Sequence, residues 1–111
     1  MSLDLKNRVV RDGLVAVLYS PGFGAGWSTW STEHSQRIVF DPFIVDLMTK
    51  ADEDWKQKVE AYCIVKYPDM YLGGLDDLVI EWVPVGTEFK IDEYDGNESI
   101  VYRNQVNWLV A

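Results

Sequence analysis

Leu78–Val101, LVIEWVPVGTEFKIDEYDGNESIV, is the stretch on which the fold turns. Leu78 to Val83 is β-branched and aromatic, and Pro84-Val85-Gly86 interrupts it. Thr87, Phe89 and Ile91 then alternate with Glu88, Lys90 and Asp92. Alternation of period two gives a strand one dry face and one wet face. Asp95-Gly96 is a favoured two-residue hairpin turn, and Ser99 to Tyr102 reads as the returning strand. Three short strands joined by two tight turns are expected, with a wet face made almost entirely of carboxylates.

Upstream, Gly13 to Tyr19 (GLVAVLY) is apolar without alternation, which predicts a strand covered on both faces. Leu3 to Val10 fits a helical turn or an edge strand equally well. Gln36 to Phe40 reads as a short strand. Asp41-Pro42 is a helix start, an N-cap acceptor followed by proline at the first helical position. Ile44, Leu47, Met48 and Ala51 continue one face of that helix. Asp52 is placed to cap a second helix, whose buried stripe is Trp55, Val59, Tyr62, Cys63 and Tyr67, and Pro68 ends it. Val106 to Val110 reads as a last strand.

The expectation is a single α+β domain over residues 1–111: a mainly antiparallel sheet of four to six strands with two helices, about 42–50 and 52–67, on one face. Central strands are expected at 13–19, 78–83 and 87–94.

Composition bounds the function. With one cysteine, Cys63, neither an internal disulfide nor a cysteine-built zinc site can form. No apolar run is long enough to span a bilayer, and the first residues lack the pattern of a signal peptide. A soluble, cytoplasmic protein is expected. The net charge of −8 is concentrated: residues 69–98 hold nine acids and one base, Lys90. Such a segment repels phosphates, which argues against direct nucleic-acid binding there, and attracts cations or a basic protein. Five tryptophans exceed what one core of this size holds, so one or two are expected at a ligand site or a subunit contact of a homo-oligomer.

The most unusual segment is Ser20 to Ser31, SPGFGAGWSTWS. Gly22, Gly24 and Gly26 alternate with Phe23, Ala25 and Trp27. Backbone N–H groups of such a loop can converge on an anion, while Phe23, Trp27 and Trp30 supply faces for a planar ring. Neither a P-loop ending nor a G-x-G-x-x-G spacing is present. The segment reads as a pocket for a small planar anionic, nucleotide-like ligand, with Glu93, Tyr94 and Asp95 contributing from the hairpin, or else as a loop pinned to the domain by its aromatics.

Catalytic material is thin. His34 is the only histidine, and Cys63 sits on the buried stripe of a helix, where a thiol is usually inert. The carboxylates at 92–98 offer hard oxygen ligands, but Ile91 and Tyr102 occupy positions where an EF-hand needs acids. A non-catalytic protein without a cofactor or resident metal is expected.

Ile80–Ile100 and Tyr19–Trp27 together resemble small uncharacterised proteins encoded by tailed bacteriophages and prophages. These pair a G-x-G-x-G-W loop with a W-[IV]-P-x-G-T-x-F-x-I-x-E-Y-D-G-x-E segment. The resemblance implies a phage accessory protein, in the cytoplasm of the host bacterium, that acts by stoichiometric binding. Three readings follow: binding of a nucleotide-like ligand through loop 20–31, contact of the acidic segment 69–98 with a basic host protein, or a metal-dependent hydrolase built on turn 92–98.

Overall fold

The computed structural model describes residues 7–22, 26–30, 35–50, 53–68 and 72–103. The fold is α+β, with two principal helices and five antiparallel strands among the described residues. A three-stranded sheet has the order β1 (Val10–Arg11), β2 (Leu14–Tyr19), β3 (Val79–Pro84). A separate hairpin pairs β4 (Phe89–Tyr94) with β5 (Asn97–Tyr102).

The apolar run is the centre of the domain. Val15, Ala16, Val17 and Leu18 are all buried. Ala16 and Leu18 pack against the helices, while Val17 meets Val39 and Val83, backed by Phe89, Ile91 and Ile100 of the hairpin. Both faces of β2 are therefore dry, which accounts for the missing alternation.

Every buried backbone N–H needs a partner, and β2 finds its own in two ways. One edge pairs with β3 along its whole length, from Leu14↔Pro84 to Tyr19↔Val79. The other edge is completed by three segments in turn, one beside the local β1–β2 hairpin and two distant in sequence. Ala16 N–H donates to the Val9 carbonyl at 3.0 Å and Leu18 N–H to the Val39 carbonyl at 2.8 Å. Ser20 N–H donates to Oε1 of Glu98 at 2.9 Å.

Two hairpins share one turn chemistry. Asp95 and Gly96, at φ 51° and 81°, join β4 to β5 in the doubly left-handed conformation that Asp-Gly tolerates. Asp12 and Gly13, at φ 53° and 76°, join β1 to β2 in the same way. Of the N-terminal segment Leu3 to Val10, only Val10 lies in a strand, the two-residue edge strand Val10–Arg11.

The three strands expected around Leu78–Val101 form, but they divide between two sheets, and among the described residues β2 alone has a strand on each side. Val85 N–H is held by the Gly13 carbonyl at 2.9 Å, and Thr87 N–H by the Pro84 carbonyl at 3.0 Å. The chain thus turns beside the β1–β2 turn, and β4 starts across the face of the first sheet instead of alongside β3.

Helix α1 (Ser35–Ile38) is a single turn, where the sequence predicts a strand over Gln36–Phe40. Five residues are too few to display a period. The residue after the turn, Val39, still serves the edge of β2 through its carbonyl. Helix α2 (Pro42–Thr49) begins where Asp41 caps it and buries Ile44 and Val45. Helix α3 (Trp55–Lys66) buries Val59 and Cys63, with Trp55 and Tyr62 partly covered, as the stripe predicts. Asp54, not Asp52, occupies its N-cap position. Among the described residues no helix is long and apolar enough to cross a membrane. Leu3–Leu5, Thr32–His34, Asp52 and Val106–Val110 lie outside the described residues.

The glycine positions give the first testable consequence. A Cβ on Gly74 would lie 2.3 Å from the backbone carbonyl oxygen of Gly26, whereas one on Gly22 would meet the side-chain Oδ2 of Asp77 at 2.2 Å. An exposed carboxylate can rotate away; a buried backbone carbonyl cannot. Gly74→Ala is expected to cost about 2 kcal/mol in urea unfolding, and Gly22→Ala less than about 1 kcal/mol. Equal costs would show that the two backbones are not held in contact.

Candidate functional site

The glycine-tryptophan loop does gather N–H groups around an anion, but that anion belongs to the protein. Glu98 is only 1% exposed. Its Oε1 accepts from Ser20 N–H at 2.9 Å, and its Oε2 accepts from Trp27 N–H and Thr29 N–H, each at 2.9 Å, and from the Thr29 hydroxyl at 2.6 Å. Backbone bonds reinforce the junction, with Glu98 N–H donating to the Ser20 carbonyl at 2.9 Å and Gly26 N–H to the Gly96 carbonyl at 2.7 Å. The Ser20 hydroxyl donates to the Gly74 carbonyl at 2.7 Å. Charge-assisted bonds of this kind are the strong ones, and together they tie β2, the loop and the β4–β5 turn into one unit.

The residues predicted for the ligand site are placed as follows. Ser20, Gly26 and Trp27 are buried in this junction, and Trp27 packs fully into the helix-side core. The Trp27 indole N–H is buried with no hydrogen-bond partner among the described residues. Gly22 lies against Asp77. Glu93 accepts the Gly96 N–H at 2.7 Å, Asp95 is a turn residue, and Tyr94 is 74% exposed. Phe23 and Gly24 lie outside the described residues, as does the side chain of Trp30. Loop and hairpin turn meet through Gly26, Gly96 and Glu98.

Glu98 itself is absent from the sequence-based site, although a signal for it exists. The Asp95-Gly96 turn sets the register Glu93↔Glu98, Ile91↔Ile100, Phe89↔Tyr102. Counting in twos from Ile100 puts Glu98 on the dry face, where an acid requires donors.

A second constellation lies on the other side of the helical core. An open cleft of about 860 Å³ has Arg8, Arg37 and Lys66 around it and Phe40, Tyr62 and Tyr67 in its walls. The Arg8 guanidinium rests over the Phe40 ring, 3.9 Å from its centroid. None of the three cations has a carboxylate partner among the described residues. The one acid in the lining, Asp41, is 3% exposed and already engaged. Its Oδ1 caps α2, accepting from Phe43 N–H at 2.9 Å and Ile44 N–H at 3.2 Å. Its Oδ2 accepts the hydroxyls of Tyr62, at 2.9 Å, and Tyr67.

Burial first, and then the Asp41 carboxylate, push the Tyr62 hydroxyl up to about 12 and raise Tyr67 as well. The same two causes raise the Cys63 thiol to about 12, so no nucleophilic thiolate forms near neutral pH. Sequence reading missed this cleft because its cations come from three distant segments, and no local pattern joins them.

The acidic segment is partly consumed within the protein. Glu98 is buried, Glu81 accepts from the Tyr102 hydroxyl and Glu88 pairs with Arg103. Asp92 lies 3.4 Å from Lys90, and Asp76 lies 3.7 Å from Lys56. Among the described residues no group of three or more His, Cys, Asp or Glu side chains converges as a metal site. No protein-family model, curated protein or solved structure matches the chain.

Proposed function

We propose that this protein is a non-catalytic binding protein for a small planar anion of nucleotide type, held in the cleft lined by Arg8, Arg37 and Lys66. One observation carries the reading. In a chain of net charge −8, three cations without carboxylate partners among the described residues surround a cleft walled by aromatic rings. Rings offer stacking area and guanidinium groups offer planar donors to phosphate. The glycine loop, whose N–H groups at Ser20, Trp27 and Thr29 are committed to Glu98, supports the domain in this reading and does not itself hold the ligand. Stoichiometric binding also suits the resemblance to phage accessory proteins, which have small folds.

Thermal unfolding against AMP, ADP and ATP tests the proposal. Ligand at one hundred times its dissociation constant adds about 2.7 kcal/mol, enough to raise the midpoint of a domain this size by several degrees. The shift is expected to shrink with added salt and to vanish in Arg37→Ala/Lys66→Ala. That variant should keep the unliganded midpoint, because both side chains are exposed and neither is paired among the described residues. A flat panel, or a shift that survives the double substitution, would refute the site.

A further inference from the structure

A second cleft of about 820 Å³ adjoins the first, and Arg8 and Phe40 line both. Its apolar wall is Val39, Phe40, Phe89 and Ile91, with Thr87 and Lys90 also lining it. Phe40 and Phe89 meet edge to face at 6.2 Å and 79°, so a flat group entering here finds an aromatic corner. Glu88, the acid of this cleft, is paired with Arg103.

Resting on the reading above, we infer that the two clefts are the two halves of one site for a dinucleotide, with a base in each and the linking phosphodiester on Arg8. Three features lead there. Each cleft has aromatic lining besides the shared Phe40: Tyr62 and Tyr67 in the first and Phe89 in the second. Each has its own cation beyond the shared one, Arg37 and Lys66 on one side and, on the other, Lys90, which lies 3.4 Å from the exposed Asp92 outside the cleft lining. The residue they share presents a charge suited to the link: the Arg8 guanidinium lies over Phe40, 3.9 Å from the ring centroid, and lines both clefts, and its N–H donors match a phosphodiester oxygen. A mononucleotide would occupy the first cleft and leave the aromatic corner of the second exposed.

Calorimetric titration with AMP and with the dinucleotide pApA tests this. A base stacked on an aromatic contributes about 1–3 kcal/mol, so pApA is expected to bind at least about tenfold more tightly than AMP. Lys90→Glu should bring pApA down to the affinity of AMP while leaving AMP binding unchanged, because Lys90 lines only the second cleft. Arg8→Ala should weaken both ligands. AMP binding with no gain for pApA would overturn the two-cleft inference and leave the single-cleft reading standing. A pApA advantage that survives Lys90→Glu would also overturn it. Binding of neither ligand would remove both proposals.

Discussion

Glu98→Ala is expected to cost about 4 kcal/mol or more, a large share of the roughly 5–15 kcal/mol that stabilises a domain. Losing one anion would strand three backbone N–H groups and a hydroxyl at once. Breaking a buried, hydrogen-bonded charge typically costs about 3–5 kcal/mol, because the partners left behind remain desolvated and unpaired. Relaxation is limited here, since the Ser20 and Gly26 backbones are also pinned to β5 and its turn. Glu98→Gln keeps one acceptor oxygen but turns an NH₂ toward donors, so it should lose about half as much. Glu93→Gln is the control: directly across the hairpin from Glu98, it retains an acceptor for Gly96 N–H and should change stability by less than about 0.5 kcal/mol. Urea unfolding of the three variants would decide the matter. If Glu98→Ala lost less than about 1 kcal/mol, the loop would not be held by that carboxylate.

Legibility in the sequence follows the range of the interaction. Local signals read well. The doubly buried β2, the Asp41-Pro42 helix start, the α3 stripe and the Asp95-Gly96 hairpin all rest on residues within a few positions of each other. The Asp12-Gly13 turn carries the same signal in its two residues, but only two residues of β1 precede it, too few for a strand pattern. What stayed hidden depends on long-range closure. The split of the sheet is set by Val85 bonding to Gly13, and nothing near Pro84 encodes that partner. The glycine spacing points to a pocket for an anionic ligand, whereas the N–H groups of Ser20, Trp27 and Thr29 are taken by an anion of the protein itself, Glu98. The identity of the anion followed only once the register placed Glu98 beneath the loop, seventy-eight residues beyond Ser20. The cationic cleft shares this property, for Arg8, Arg37 and Lys66 become neighbours only when α1 and α3 pack on β2.

Asp41→Ala should lose about 2–4 kcal/mol through two separable effects. Removing Oδ1 uncaps α2, worth about 1 kcal/mol; removing Oδ2 takes the Asp41 acceptor from the part-buried Tyr62 hydroxyl and the buried Tyr67 hydroxyl, at about 1–3 kcal/mol. Asp41→Asn separates the two, because its amide oxygen can still cap the helix while its NH₂ cannot accept from a hydroxyl. Asp41→Asn should therefore fall between Asp41→Ala and the parent protein. Tyr62→Phe/Tyr67→Phe should then reduce the further loss caused by Asp41→Asn, the coupling expected of groups in one network. The same cluster predicts an alkaline limit. Tyr62, raised from 10.0 to about 12, stays protonated in the folded state while the unfolded chain loses that proton. Its contribution is complete below pH 10 and is lost as pH rises from 10.0 to about 12. Tyr67, raised for the same reasons, adds to the loss in the same direction. Midpoints measured across that window should fall less steeply in Tyr62→Phe/Tyr67→Phe than in the parent. Parallel curves would mean that the two hydroxyls are not held protonated by Asp41 and their burial.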